Sequence, residues 1–200
     1  SDLGDSRRAL SHQLASVKIL AEKYGEQHPR TAEAIHELGR IYVDISEYSL
    51  AEKHLAQAWE IRRKLWGDAH PDTVASVHIL GWLALLKRDL DRAERLLREA
   101  LESRRKLLGE RHLDTAKNMD DLGTLYIYTG DYYRAESLIS EALETRIALL
   151  GEAHPYAALS RSSLGRLAFR LGDLVTAQRL LERAQKDLRT AYGDEAAATF

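Results

Sequence analysis

The sequence predicts an all-α fold: a solenoid of antiparallel helix pairs. Three observations carry that expectation. Glycines stand at positions 25, 67, 109, 151 and 193, a period of 42 residues without slippage. All twelve glycines fall into three registers of that period, and the three prolines share a fourth. Between these punctuation points, apolar residues recur at helical spacing. A fixed period in this range means stacked supersecondary units, each burying its apolar face against the next.

The linkers come first because they set the ruler. Tyr24-Gly25-Glu26-Gln27-His28-Pro29-Arg30-Thr31 returns as Trp66-Gly67-Asp68-Ala69-His70-Pro71-Asp72-Thr73. It returns again as Leu108-Gly109-Glu110-Arg111-His112-Leu113-Asp114-Thr115 and as Leu150-Gly151-Glu152-Ala153-His154-Pro155-Tyr156-Ala157. The glycine follows a periodic apolar segment and can take a positive φ, as a residue just past a helix often must. Proline suits the first helical position, where its missing N–H removes nothing. Each linker therefore stops one helix and starts the next, with a softer start where Leu113 replaces proline.

A first helix, A, is expected over about 28–45, 70–87, 112–129 and 154–171, with Ile35, Leu38, Ile41 and Tyr42 on its apolar face. A short turn follows at Ser46-Glu47, Arg88-Asp89, Gly130-Asp131 and Gly172-Asp173, where Gly-Asp reads as a C-cap and an N-cap. A second helix, B, is expected over about 47–65, 89–107, 131–149 and 173–191. Its buried face is marked by Ala51, Leu55, Ala58 and Leu65, matched by Ala93, Leu97, Ala100 and Leu107. The interior glycines Gly39, Gly81, Gly123 and Gly165 each cost about 0.5–1 kcal/mol relative to alanine. Close approach of the two helices, with Ala51, Ala93, Ala135 and Ala177 opposite, would compensate.

The domain reading is one array over 1–200. It has a lone helix B at 5–24, repeats at 25–66, 67–108, 109–150 and 151–192, and the start of a further repeat at 193–200. Asp5 aligns with Asp131 in this scheme. Neither end carries a polar cap, which points to a piece of a longer protein.

Leu38-Gly39-x-x-Tyr42 with Ala51, Leu55 and Ala58, repeated as Leu122-Gly123-x-x-Tyr126 with Ala135, Ile139 and Ala142, resembles the tetratricopeptide repeat (TPR) family. A unit of 42 residues with a His-Pro linker is similar to the kinesin-light-chain type. The resemblance covers essentially the whole chain. It implies a right-handed superhelical solenoid that serves as a scaffold for protein–protein interaction, with helix A lining a concave groove that takes a peptide or protein segment.

Composition narrows the function classes. The net charge of −2 gives no general pull toward nucleic acid or an anionic membrane. The basic runs Arg62-Arg63-Lys64 and Arg104-Arg105-Lys106 read as solvated helix faces. The absence of cysteine excludes disulfides and thiolate metal sites, fits a reducing compartment, and makes the cytoplasm the expected location. The linker histidines lie one per repeat, so they read as helix-capping groups, and no metal or other cofactor is expected. Asp120 and Asp121 are neighbours about 100° apart on a helix and make a poor catalytic pair, so no catalytic residue is assigned and an enzyme is not expected.

The candidate groove positions form a stripe at four-residue spacing on each helix A. They are His36, Arg40 and Asp44; His78, Trp82 and Leu86; Asp120, Thr124 and Tyr128; and Ser162, Arg166 and Arg170. Along it the character passes from an aromatic and apolar patch at Trp82, Leu86 and Tyr128, through an acidic point at Asp120, to a basic end at Arg166 and Arg170. A partner segment with a large apolar residue and an acidic group would complement it. Trp59 and Trp66 read instead as packing residues. The alternative expectation is a regulatory or self-association module of a larger signalling protein of the kinase or nucleotide-switch type, joined through the bare end repeats.

Overall fold

A computed structural model describes residues 2–193, with side chains described from residue 8 onward. The expected start of a further repeat at 193–200 lies outside the described residues beyond Gly193, and so does the side chain of Asp5. Among the described residues the chain is all-α. Its helices are α1 (Asp2–Tyr24), α2 (Pro29–Asp44), α3 (Tyr48–Trp66), α4 (Pro71–Leu86), α5 (Leu90–Leu108), α6 (Leu113–Thr129), α7 (Tyr132–Leu150), α8 (Pro155–Leu171) and α9 (Leu174–Tyr192). They fall into two compact units, Ser1–Ser103 and Arg104–Phe200. In the first, α2 pairs with α3, α1 packs on α2, and α3 packs on α4. In the second, α6 pairs with α7, α8 with α9, and α7 packs on α8. No helix among the described residues is long and apolar enough to cross a membrane.

The linkers work through three devices. The glycine takes a backbone that other residues rarely adopt: Gly67 has φ 81° and ψ 176°, and Gly151 has φ 93° and ψ 161°. This is the extended mirror region open essentially to glycine alone. It is not the left-handed helical turn that a helix end usually shows. The histidine then caps the next helix. Nδ1 of His28, His70, His112 and His154 accepts the backbone N–H of Arg30, Asp72, Asp114 and Tyr156 at 3.1–3.2 Å. In two linkers the threonine closes the loop: Thr31 Oγ1 donates to the carbonyl of Gly25 at 2.8 Å and Thr115 Oγ1 to that of Gly109 at 2.9 Å, whereas Thr73 Oγ1 has no hydrogen-bond partner. Leu113 in place of proline leaves α6 starting in the same register with the same histidine bond.

The tight turn between paired helices does use the left-handed region. Gly130 and Gly172 both have φ 84°, and Ser46 and Arg88, in the same register, take φ 62° and 64° without being glycine. The aspartate that follows caps the second helix: Asp131 Oδ1 accepts Arg134 N–H at 3.1 Å, and Asp173 Oδ1 accepts Thr176 N–H at 3.0 Å. Glu47, one methylene longer at that position, makes no such bond.

Three expectations are corrected. The interior glycines face a leucine-type side chain sixteen residues on, ahead of the alanine. A Cβ on Gly39 would stand 2.6 Å from Leu55 Cγ, and one on Gly123 would stand 2.4 Å from Ile139 Cγ1, with the Ala135 carbonyl next at 3.3 Å. Leu65 and Leu107 are exposed, and the buried apolar face ends at Ile61 and Leu101. The reason is length: α3 has 19 residues against 16 in α2, so its last turn overhangs its partner.

The third correction concerns the basic runs. They are not simply solvated, because Arg62 and Arg104 are buried. Arg62 Nη1 donates to the Asp72 carbonyl at 3.1 Å and to Ser76 Oγ at 2.9 Å, and Arg104 Nη1 donates to the Asp114 carbonyl at 2.9 Å. Arg146, in the same register, donates to the Tyr156 carbonyl at 3.0 Å and to Ser160 Oγ at 2.6 Å. A buried arginine in each of these repeats thus ties a second helix to the first turn of the helix that follows.

Candidate protein-binding site

The stripe at four-residue spacing does not stay on one face. Each step advances about 400°, so the line drifts by about 40° per step. The first position of three stripes therefore turns inward while the later ones emerge.

His36, His78 and Asp120 are buried. Burial, then the positive charges of Arg62 and Arg40, holds the His36 imidazole down at about 3, and its Nδ1 has no hydrogen-bond partner. Asp120 Oδ2 accepts from Arg146 Nη1 at 2.5 Å and from Ser160 Oγ at 3.2 Å. Burial pushes the Asp120 carboxyl up, against the pull of Arg146. The expected acidic point on the surface is therefore an internal ion pair.

The outer positions sort by unit. In Ser1–Ser103, Arg40 is exposed and pairs with Glu37 at 3.3 Å, Asp44 is exposed at the end of α2, and Trp82 and Leu86 are half-buried on α4. In Arg104–Phe200, Ser162 is half-buried, and Thr124, Tyr128, Arg166 and Arg170 come together. They line a cleft of about 450 Å³ with Ile127, Phe169 and Leu181. Helix α6 supplies Thr124, Ile127 and Tyr128, α8 supplies Arg166, Phe169 and Arg170, and α9 supplies Leu181. Arg166 Nη2 donates to Ser163 Oγ at 3.0 Å, which steadies the guanidinium. Among the described residues no carboxylate lines this cleft. Its walls are aliphatic and aromatic, with two guanidinium groups one helical turn apart.

Ile127 and Phe169 lie outside the four-residue stripe. They stand three residues beyond Thr124 and Arg166, which is the other way to stay on a helix face. A stripe drawn at alternating spacings of three and four would have included them. Leu181 belongs to a second helix, and only tertiary packing over Gly165 brings it in, with 2.8 Å from a Cβ on that glycine to Leu181 Cγ.

The tryptophans on α3 are packing groups, as expected. Trp59 packs against two core clusters, one that includes Leu55 and Leu80 and one that includes Val77 and Ala100. Trp66 stacks on His70 with ring centroids 4.4 Å apart.

Comparison with known proteins agrees with this architecture. The tetratricopeptide repeat profile matches residues 1–64, 47–106, 74–144 and 114–190, nearly the whole chain. No curated protein sequence matches the chain significantly. Among solved structures, BtubC (BKLC) from P. vanneervenii superposes with a TM-score of 0.77 at 24% identity, over 96% of this chain and 77% of that one. Nearly identical TPR-like repeats of a candidate kinesin light chain from Podosopora anserina give 0.71 at 24% identity, over 96% and 92%. MamA gives 0.58 at 17% identity, over 96% and 97%. At these identities the likeness is one of fold. Proteins of this repeat type generally mediate protein–protein interactions and are typically non-catalytic scaffolds. With its profile matched in four overlapping stretches, its helix pairs in a period of 42 residues and its Leu-Gly and Ala signature in place, the chain belongs to the tetratricopeptide repeat family.

Proposed function

We propose that the chain is a scaffold that holds a protein or peptide segment on the outward faces of its first helices. In the unit Arg104–Phe200 the seat is the cleft on α6 and α8. The observation that carries this reading is the composition of that cleft: Tyr128, Phe169 and Ile127 beside Arg166 and Arg170, with no carboxylate among the lining residues. Aromatic residues and arginines are the usual anchors of protein interfaces. A segment with one large apolar side chain and a neighbouring carboxylate would bury the first and pair the second. In the unit Ser1–Ser103, Trp82 offers a separate half-buried anchor.

The mechanism is preorganisation. The anchors sit on helices already fixed by packing, so the protein loses little conformational freedom on binding. A partner selected by peptide display against the purified chain supplies the test. Arg166→Glu is expected to weaken a partner held in the cleft at least tenfold, and Trp82→Ala a partner held by the unit Ser1–Ser103, while helical content by circular dichroism stays unchanged. Wild-type affinity in both variants would sink the assignment.

A further inference from the structure

Three buried polar side chains, one each on α6, α7 and α8, close a triangle. Arg146 Nη1 donates to Asp120 Oδ2 at 2.5 Å and to Ser160 Oγ at 2.6 Å, and Ser160 Oγ donates to Asp120 Oδ2 at 3.2 Å. Asp120 Oδ1 has no hydrogen-bond partner, so these bonds are the carboxylate's attachment. The same registers in the unit Ser1–Ser103 hold His36 on α2, Arg62 on α3 and Ser76 on α4. There Arg62 Nη1 also reaches the serine, at 2.9 Å, but Ser76 Oγ donates to the Asp72 carbonyl of its own helix at 3.0 Å, and His36 Nδ1 has no partner. The hydroxyl that closes a turn of α4 in one unit thus ties α8 to α6 in the other.

Those two helices are the walls of the cleft. Thr124 and Tyr128 follow Asp120 along α6, and Arg166 and Arg170 follow Ser160 along α8. The two helices also pack directly on each other. Apolar packing alone tolerates small sliding of one helix over another. Charge-assisted hydrogen bonds are short and directional, so a carboxylate shared by a guanidinium and a hydroxyl resists it.

We infer that Asp120, Arg146 and Ser160 are positioning residues for the cleft: they fix the separation of α6 from α8, and with it the distance from Tyr128 on one wall to Arg166 and Arg170 on the other. None of the three lines the cleft, so each acts through the helix that carries it. This rests on the protein-binding reading above and adds what holds the seat in shape.

The chain has no cysteine, so Thr129→Cys and Leu171→Cys, at the exposed ends of α6 and α8, take a pair of nitroxide labels whose separation is read by electron spin resonance. The binding probe is a display-selected peptide that loses affinity on Arg166→Glu. Asp120→Val combined with Arg146→Met exchanges the charges for apolar groups of similar total volume, a change that often leaves stability unimpaired. It is expected to shift or broaden the label separation and to weaken the peptide about tenfold. Asp120→Asn keeps an oxygen for both donors and leaves Arg146 beside a neutral group, as Arg62 is beside His36. It should lower the urea midpoint yet hold the separation and the affinity near wild type. Ser160→Ala cuts the bond to α8 with both charges still paired, and it keeps the test valid should the double variant fail to fold. The same shift and loss are expected there, smaller in size.

An unchanged label separation in every folded variant that cuts the triangle would overturn the inference. So would a shifted separation with the peptide bound as tightly as by wild type. Affinity that follows stability, with Asp120→Asn the weaker binder, would overturn it too, because the triangle is then ordinary core. If no selected peptide depends on Arg166, the protein-binding reading of the cleft falls instead, and the label separation alone decides whether the triangle sets the spacing.

Discussion

Ser46 shows how much of the turn chemistry resides in single residues. It takes φ 62°, in a register where two other repeats use glycine. For a residue with a Cβ the left-handed helical conformation costs roughly 1–2 kcal/mol. Glycine removes that cost and loses about 0.5–1 kcal/mol of it to chain entropy. Ser46→Gly is therefore expected to stabilise the protein by about 0.5–1 kcal/mol, read as a raised urea midpoint. A lowered midpoint would mean that Ser46 makes a contribution the backbone does not reveal.

His36 is the opposite case, a side chain whose environment opposes its charge. Its value in the folded chain, about 3, lies below the ordinary 6.5, so the unfolded chain binds the extra proton. The stability this neutral ring contributes is complete above about pH 6.5 and is lost as pH falls toward 3. Each pH unit in that window removes up to ~1.4 kcal/mol. His54, lowered chiefly by burial and then by Lys53, acts in the same direction. His36→Gln should flatten the fall in melting temperature between about pH 6.5 and about pH 4 relative to wild type. Parallel curves would show that the imidazole is not the group titrating.

At the level of the helix, the ends are held by side chains that the sequence announces. His70 accepts the N–H of Asp72, and Asp131 that of Arg134, and loss of a cap of this kind costs about 0.5–2 kcal/mol. His70→Ala and Asp131→Ala should each lower the thermal midpoint without changing the spectrum of the folded state. A double variant should lose the sum, since the two caps belong to different helices in different units. These boundaries were legible because glycine, proline and capping residues act on the few residues beside them. The buried arginines were not. Arg62-Arg63-Lys64 looks like one charged face, and only contact with a carbonyl ten residues on separates Arg62 from its neighbours. The candidate site was legible in part for a related reason. A spacing of four finds Thr124, Tyr128, Arg166 and Arg170 but drifts across the core at His36 and Asp120, and it cannot reach a residue on another helix such as Leu181.

For the molecule as a whole, one position shows how the repeats differ beneath a common frame. His36 and Asp120 share a register, and the buried arginine of each repeat lies nearby. The carboxylate neutralises Arg146 in the unit Arg104–Phe200. The imidazole adds no negative charge beside Arg62 in the unit Ser1–Ser103, where burial pulls that guanidinium down. Trp59, Trp66 and Trp82 also belong to the unit Ser1–Ser103, and no tryptophan lies beyond it in the sequence. Each unit thus has its own spectroscopic signature: indole emission reports the half that holds His36 and His54, while peptide ellipticity reports both. A protein with this distribution carries a built-in optical label, and acid titration followed in both channels at once would resolve the order in which its halves unfold.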